Sequence, residues 1–380
     1  MTALLNRLDA SGPKKILALD GGGIRGALTL GYLKKMEDIL KARHQDKPDF
    51  RMSDYFDLIG GTSTGAIIAA LLSLGKTVDE IKELYMELGN KIFGEKRSWW
   101  NPFETYQWLK ANYNYSGMME GLKFAMGKDT TLGSEKIKTG LCIVAKRADT
   151  NSIWPMINHP RGKYYDSEMG RNKDLLLWKV VRASTAAPTY FAPQMMEVTE
   201  GQQAAFIDGG LSMANNPALT LLMVATLNGF PFHWPMGADN LLLVSVGTGY
   251  PEYKKHAGEI DDATMLTWAA SIPDMLMQDA SWQNRLLLQW LSQSPTAEIM
   301  DSEIGDMKDD LLAGKPLITY LRYNFAITAK NLNALGFEKS FDEDDAAGIA
   351  DMAKAKNKEL LCEIGWRASS VIRPEHFSKF

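Results

Sequence analysis

The chain has 380 residues, of which 45% are hydrophobic and 23% charged, and its formal net charge is -4. The composition is that of a soluble globular protein, and the length allows one large domain or two to three ordinary ones. The net negative balance excludes the basic stripe of a protein held on nucleic acid by phosphate neutralisation, and no apolar run reaches the about 18 residues of a membrane-spanning helix.

The N-terminus, MTALLNRLDASGPKK, has neither the long apolar core nor the small-residue cleavage site of a secretory signal. Cys142 and Cys362 form no CxxC pair, so a disulfide framework and a zinc site are not expected. Both features favour a reducing, cytoplasmic setting. No internal repeat or low-complexity linker divides the chain, and a single large domain is the expectation.

The first strong element is KKILALD, Lys14 to Asp20, an apolar run that suits a buried strand. The glycine-rich DGGGIRG follows at once. A helix comes next, with Leu33, Met36 and Leu40 at helical spacing and Glu37 one turn before Lys41. The pattern then repeats: a strand at Tyr55 to Gly60, the turn GTSTG, and a buried helix that stops at Gly75. Short apolar strands alternating with helices point to a parallel sheet covered on both faces.

Beyond an aromatic-dense stretch at Arg97 to Ser116, further strands are expected at Gly140 to Ala148, Ala204 to Asp208 and Leu241 to Gly249. A helix in LLLWKVVRASTAAPTYF should end before Pro188. The region from about Lys254 to Ser294, rich in Met and Trp, reads as helical. There Met265, Trp268, Ala269 and Ile272 share a face, as do Trp282, Leu286, Gln289 and Trp290. A Met-rich helix suits a lid over a lipid cleft, and equally burial against the sheet. Trp99, Trp100, Phe103, Tyr106 and Trp108 pose the same choice between an interfacial grip and core.

Gly61-Thr62-Ser63-Thr64-Gly65 has the nucleophile-elbow pattern with a strand before it and a helix after. A tight strand-to-helix turn forces the serine into strained angles and leaves no room for larger neighbours. The helix beginning near Ser63 also aims unpaired N–H groups at the reacting centre. The bland alternative is a plain turn. A hydroxyl needs a base, and none of His44, His159, His233, His256 and His376 stands in a distinctive loop after a strand, His233 being the least implausible. FIDGG delivers Asp208 at a strand end, followed by Gly209 and Gly210, where parallel-sheet enzymes place their chemistry. Asp208 is read either as a base or as the cap of that turn.

Gly21, Gly23 and Gly26 match the dinucleotide fingerprint, but the acidic residue expected about 20 positions later, closing a second strand, is missing. No Gly-Lys-Ser/Thr follows, which excludes a P-loop. The other use of such a loop is an oxyanion hole, in which the amides of Gly21, Gly22, Gly23, Ile24, Arg25 and Gly26 converge on a developing negative charge. Arg25 either adds to that polarity, holds a substrate phosphate, or pins the loop by a salt bridge.

DGGGIRG, FDLIGGTSTGAI and FIDGG together resemble the patatin-like phospholipase family, with RASTAAPTYFAP, MANNPAL and SVGTG in the same order as in that family. The resemblance covers about Lys14 to Gly249. It implies an α/β, three-layer fold with a mainly parallel central sheet flanked by helices. It places a catalytic domain at 14–250 and leaves 251–380 as a helical extension or cap on the same domain. It also implies an acyl hydrolase of the phospholipase A type without histidine, metal or cofactor, acting on membrane phospholipid from the cytoplasmic side. Ser63 would be the nucleophile, Asp208 the base, and Gly21 to Gly26 the oxyanion hole. Layout and size are similar to bacterial members that act as effectors of cyclic-oligonucleotide antiphage signalling. That similarity implies a cyclic dinucleotide activator and leaves room for a homo-oligomer. Two alternatives stand beside this reading: a small-ester esterase or thioesterase with a His-containing triad, and a non-catalytic lipid- or nucleotide-binding module.

Overall fold

A computed structural model describes residues 2–93, 115–188, 190–252, 257–261 and 264–380. The aromatic stretch singled out above falls almost wholly outside them, at 94–114, and its role as grip or core is not addressed by the fold.

The apolar runs become one large sheet. In chain order its strands are β1 (Lys14–Leu19), β2 (Leu58–Thr62), β3 (Gly140–Arg147), β4 (Ser152–Ile157), β5 (Gln194–Thr199), β6 (Gln202–Asp208) and β7 (Leu241–Val246). The short β8 (Tyr250–Pro251) lies outside it, and β9 (Ser292–Gln293) and β10 (Ile318–Tyr323) complete it; β11 (Ala326–Ile327) pairs with β8. The spatial order is β5-β6-β3-β2-β1-β7-β10-β9, with β4 also on β3. From β3 to β9 every neighbour is parallel.

The strands are apolar on both faces because both are covered. Leu17 and Leu19 of β1, Val244 of β7 and Leu321 of β10 enter one core, together with the helices Gly26–Arg43, Thr64–Ser73 and Lys358–Ala368. Ile16, Ala18, Leu243 and Tyr320 enter the other, under the helix Ala218–Thr226. The result is the three-layer α/β arrangement expected, a mainly parallel sheet between helices.

Strand β3 decides where the chemistry can sit. Its residues Cys142 to Arg147 pair with β4 along one edge. The other edge is shared: β2 takes Gly140 to Val144, with Thr62 opposite Val144, and β6 then takes Ala145 to Arg147, with Asp208 opposite Ala145. The end of β2 and the end of β6 therefore meet head to head on adjacent residues of one strand.

Three sequence expectations need correction. Strand β2 starts at Leu58, not Tyr55, because Asp54 accepts the Arg51 N–H at 2.8 Å and caps the short helix Met52–Tyr55 ahead of it. The strand ending at Asp208 is antiparallel to β3 and forms a hairpin with β5, a direction that alternation alone does not encode. The segment 251–380 is not purely a helical extension. Its run ITYLRY is β10, buried along its whole length beside β7. A boundary at 250 would cut through the sheet.

Candidate active site

The turn after β2 is as tight as the glycines suggest. Ser63 has φ 54 and ψ -122, a left-handed conformation that costs a non-glycine residue about 1–3 kcal/mol. The elbow helix Thr64–Ser73 starts at once, and at Gly65 a Cβ would lie 2.2 Å from the Leu19 carbonyl oxygen, so only glycine lets that helix approach the end of β1. The strain is held from both sides. The Ser63 N–H donates to Ser184 Oγ at 2.9 Å, and Ser184 in turn donates to the Val144 carbonyl at 2.5 Å. Thr62 Oγ1 donates to the Ala214 carbonyl at 2.6 Å.

The shared edge of β3 brings Asp208 to this turn. Ser63 Oγ donates to Asp208 Oδ2 at 2.6 Å. The other carboxylate oxygen, Oδ1, accepts the Gly210 N–H at 2.7 Å, so Asp208 also caps the turn through Gly209. One carboxylate thus takes both the Ser63 hydroxyl and the turn N–H. Burial pushes its carboxyl up to about 6, against the hydrogen bonds from Ser63 and Gly210 and the charge of Arg182.

The glycine loop abuts the same point: a Cβ at Gly21 would come 3.2 Å from Ser63 Cβ and 2.4 Å from Asn215 Oδ1. Its amides divide into two groups. Gly21 N–H donates to Asn215 O at 3.0 Å, Ile24 N–H to Met352 O at 3.0 Å, Arg25 N–H to Gly22 O at 3.2 Å, and Gly26 N–H to the carbonyls of Gly23 and Ile24. The N–H groups of Gly22 and Gly23 are given to no acceptor among the described residues. Those of Thr64 and Gly65 open the elbow helix, where no intrahelical acceptor exists. Of the six candidates in the loop, two thus keep free donors, directly after the glycine that abuts the serine. Among the described residues Arg25 makes no salt bridge; its Nη1 donates to Ala350 O at 3.3 Å, tying the loop to the C-terminal part.

No described histidine bonds to Ser63 or Asp208. His44 Nδ1 contacts Leu40 O at 2.8 Å, and His159 Nδ1 accepts the Arg161 N–H at 3.1 Å. His233, at φ 51, faces Asn228 O at 3.3 Å, and His376 pairs with the Tyr323 hydroxyl at 2.8 Å. His256 lies outside the described residues.

Sequence reasoning did not assign roles to Ser184, Asn215 or Thr248, whose Oγ1 donates to Gly21 O at 3.0 Å. Each stands in a phrase, RASTAAP, MANNPAL or SVGTG, that was visible as a pattern without a chemistry attached.

Comparison with known proteins adds an independent line. A family model described as patatin-like phospholipase matches residues 17–222. A cGAMP-activated phospholipase of Escherichia coli (strain TW11681) is 29% identical over 246 residues, covering 63% of each chain. A cUMP-AMP-activated phospholipase of Escherichia coli is 30% identical over 313 residues, 80% of this chain and 79% of that one. Patatin-like protein 2 of Arabidopsis thaliana is 27% identical over 378 residues, 92% of this chain and 81% of that one. The match therefore spans less than two thirds of the first of these relatives and about four fifths of the other two.

Proposed function

The chain belongs to the patatin-like phospholipase family, and from that premise we propose that it hydrolyses ester bonds of membrane glycerophospholipids through a Ser63–Asp208 dyad. The single observation that carries this reading is the 2.6 Å hydrogen bond from Ser63 Oγ to a buried carboxylate whose proton affinity is raised. An ordinary aspartate, near 3.8, is a feeble base; one pushed up to about 6 is better matched to a serine proton near neutral pH.

Asp208 Oδ2 accepts the hydroxyl proton as Oγ attacks the ester carbonyl carbon. The carbonyl electron pair moves onto oxygen, facing the free amides of Gly22 and Gly23 and the first amides of the elbow helix. Loss of one such donor costs roughly 3 kcal/mol of transition-state stabilisation. Collapse of the tetrahedral intermediate expels the alcohol, which takes the proton from Asp208 and leaves an acyl-Ser63. Water, deprotonated by the same carboxylate, attacks that acyl group. The fatty acid departs, and the proton returns to Ser63.

Lipid access is supported by the long helix Met265–Leu291, which packs against the turn after Asp208. Asn284 Nδ2 of that helix donates to the carbonyls of Met213 and Asn216. Its residues Met265, Trp268, Ile272 and Leu276 are exposed, as are Leu211 and Met213 on the neighbouring turn. Such a surface suits the interfacial zone of a bilayer. Among the described residues no helix is long and apolar enough to cross one. The likeness to a cGAMP-activated and a cUMP-AMP-activated phospholipase supports activation by a ligand of that class, and with it we propose action at the inner leaflet in antiphage defence.

The test is product analysis of phospholipid vesicles incubated with wild type and Ser63→Ala, each with and without a panel of cyclic dinucleotides, alongside fluorophosphonate labelling. The expected result is free fatty acid and lysophospholipid from wild type only, labelling confined to Ser63, and stimulation by at least one cyclic dinucleotide. Undiminished product from Ser63→Ala overturns the dyad. Hydrolysis that no cyclic dinucleotide alters overturns the activation alone.

A further inference from the structure

Behind the glycine loop, on the core side, lies an ion pair that the reaction does not touch. Asp20 is the residue between the end of β1 and Gly21. Its carboxylate takes the Arg322 guanidinium in a two-pronged contact, Nη1 to Oδ1 at 2.9 Å and Nη2 to Oδ2 at 2.6 Å. Arg322 Nη1 also donates to Ser245 Oγ at 2.6 Å. Register explains the meeting: Ala18 of β1 faces Ser245 of β7, which faces Arg322 of β10, and Asp20 follows two residues after Ala18. The side chains are 1% and 8% exposed.

Such a pair is a poor device for stability. Removing two charges from water costs several kcal/mol per ion, and an apolar pair of similar volume is often as stable or more so. Arg322 Nε, moreover, has no partner among the described residues. What the pair does supply is direction. The Asp20 N–H is held by Val246 O at 3.1 Å, Gly21 is held at its N–H by Asn215 and at its carbonyl by Thr248, and the two free amides come next. Asp20 is the last side chain before them, and the rigid guanidinium fork fixes it in rotation as well as in place.

We propose that Arg322 is a positioning residue for the oxyanion loop, orienting the Gly22 and Gly23 amides through Asp20 from a strand 100 residues beyond the end of the family match. The inference rests on the functional reading given above, in which those amides face the developing oxyanion. Arg322 itself touches neither Ser63 nor Asp208. Its effect belongs in kcat rather than in KM, because a misaligned amide fails the transition state while leaving the acyl-chain contacts in place.

The experiment uses the full chain with a soluble short-chain ester, so that membrane binding does not enter. Arg322→Lys keeps a cation opposite Asp20 but loses the fork. The double variant Asp20→Leu/Arg322→Met removes both charges and keeps the packing. Both should lose about 10- to 100-fold in kcat, with KM within about threefold of wild type. Fluorophosphonate labelling of Ser63 should slow in parallel, and the double variant should melt close to wild type. Wild-type kcat in either variant that melts like wild type, or a loss confined to KM, overturns the proposal. Should the double variant not fold, Arg322→Lys alone decides by the same criteria. A wild-type protein in which Ser63 resists the probe sinks the functional reading and this inference with it. Normal wild-type labelling with full kcat in Arg322→Lys sinks this inference alone.

Discussion

At the scale of single residues, Asp208 carries two opposed demands. Its carboxyl is pushed up from 3.8 to about 6 by burial, and in the proposed dyad that discomfort as an anion is what would make it a usable base. That rise corresponds to about 3 kcal/mol. The folded protein binds the extra proton between about pH 4 and pH 6 and the unfolded chain does not, so stability falls as pH climbs through that window and is level above it. Two outcomes are expected. Hydrolysis should fall off on the acid side with an apparent midpoint near 6. Asp208→Asn should lose activity by about 10³-fold or more while melting higher than wild type at pH 7, an advantage that disappears near pH 4. Thermal melts at the two pH values check it, and equal shifts at both would remove the burial account. Ser63 and Asp208 were legible in the sequence because each is fenced by glycines that a close turn requires. Ser184 and Arg322 were not, since the first supports the turn from 121 residues away and the second meets Asp20 across 302. A buried Arg in a strand carries no local mark of the carboxylate that it faces.

At the scale of elements, the apolar runs at β1, β3 and β7 could be read almost to the residue, since burial on both faces leaves an unbroken hydrophobic stretch. Direction was not legible. Strand β5 alternates buried and exposed positions, and β6 follows it in part, yet nothing in either states that the pair turns back against β3. The long helix Met265–Leu291 was legible as helical, and on it Met265 is 87% and Leu276 63% exposed. Trp268→Asp and Leu276→Asp together should reduce hydrolysis of phospholipid vesicles about tenfold or more, with the rate on a soluble short-chain ester unchanged. Vesicle co-sedimentation and the two assays check this. Equal loss on both substrates would make the helix part of the fold instead of a lipid contact.

The whole molecule is more continuous than its sequence suggests. The last third looked like an appendage because helical patterns dominate it, whereas its single β10 run is short and carries a charged residue. That strand nevertheless lies between β7 and β9, and the segment around Ala350 to Met352 bonds to the glycine loop through Arg25 and Ile24. A chain cut after Pro251 would expose the edge of β7 and leave Asp20 an unpaired buried anion, a loss of about 3–5 kcal/mol from the charge alone. It should be recovered only as aggregate, and the intact protein should unfold in one cooperative transition by calorimetry and circular dichroism. A soluble, active 1–251 fragment would show that the two parts fold separately.

The divided edge of β3 sets how the two reacting groups move. Since Thr62 and Asp208 are docked opposite successive residues, Val144 and Ala145, the gap between hydroxyl and carboxylate spans a single peptide step of one backbone rather than the width of a domain. Twisting or breathing of the outer strands carries both groups along together. In the proposed dyad the path of the proton would thereby be insulated from motions of the outer strands.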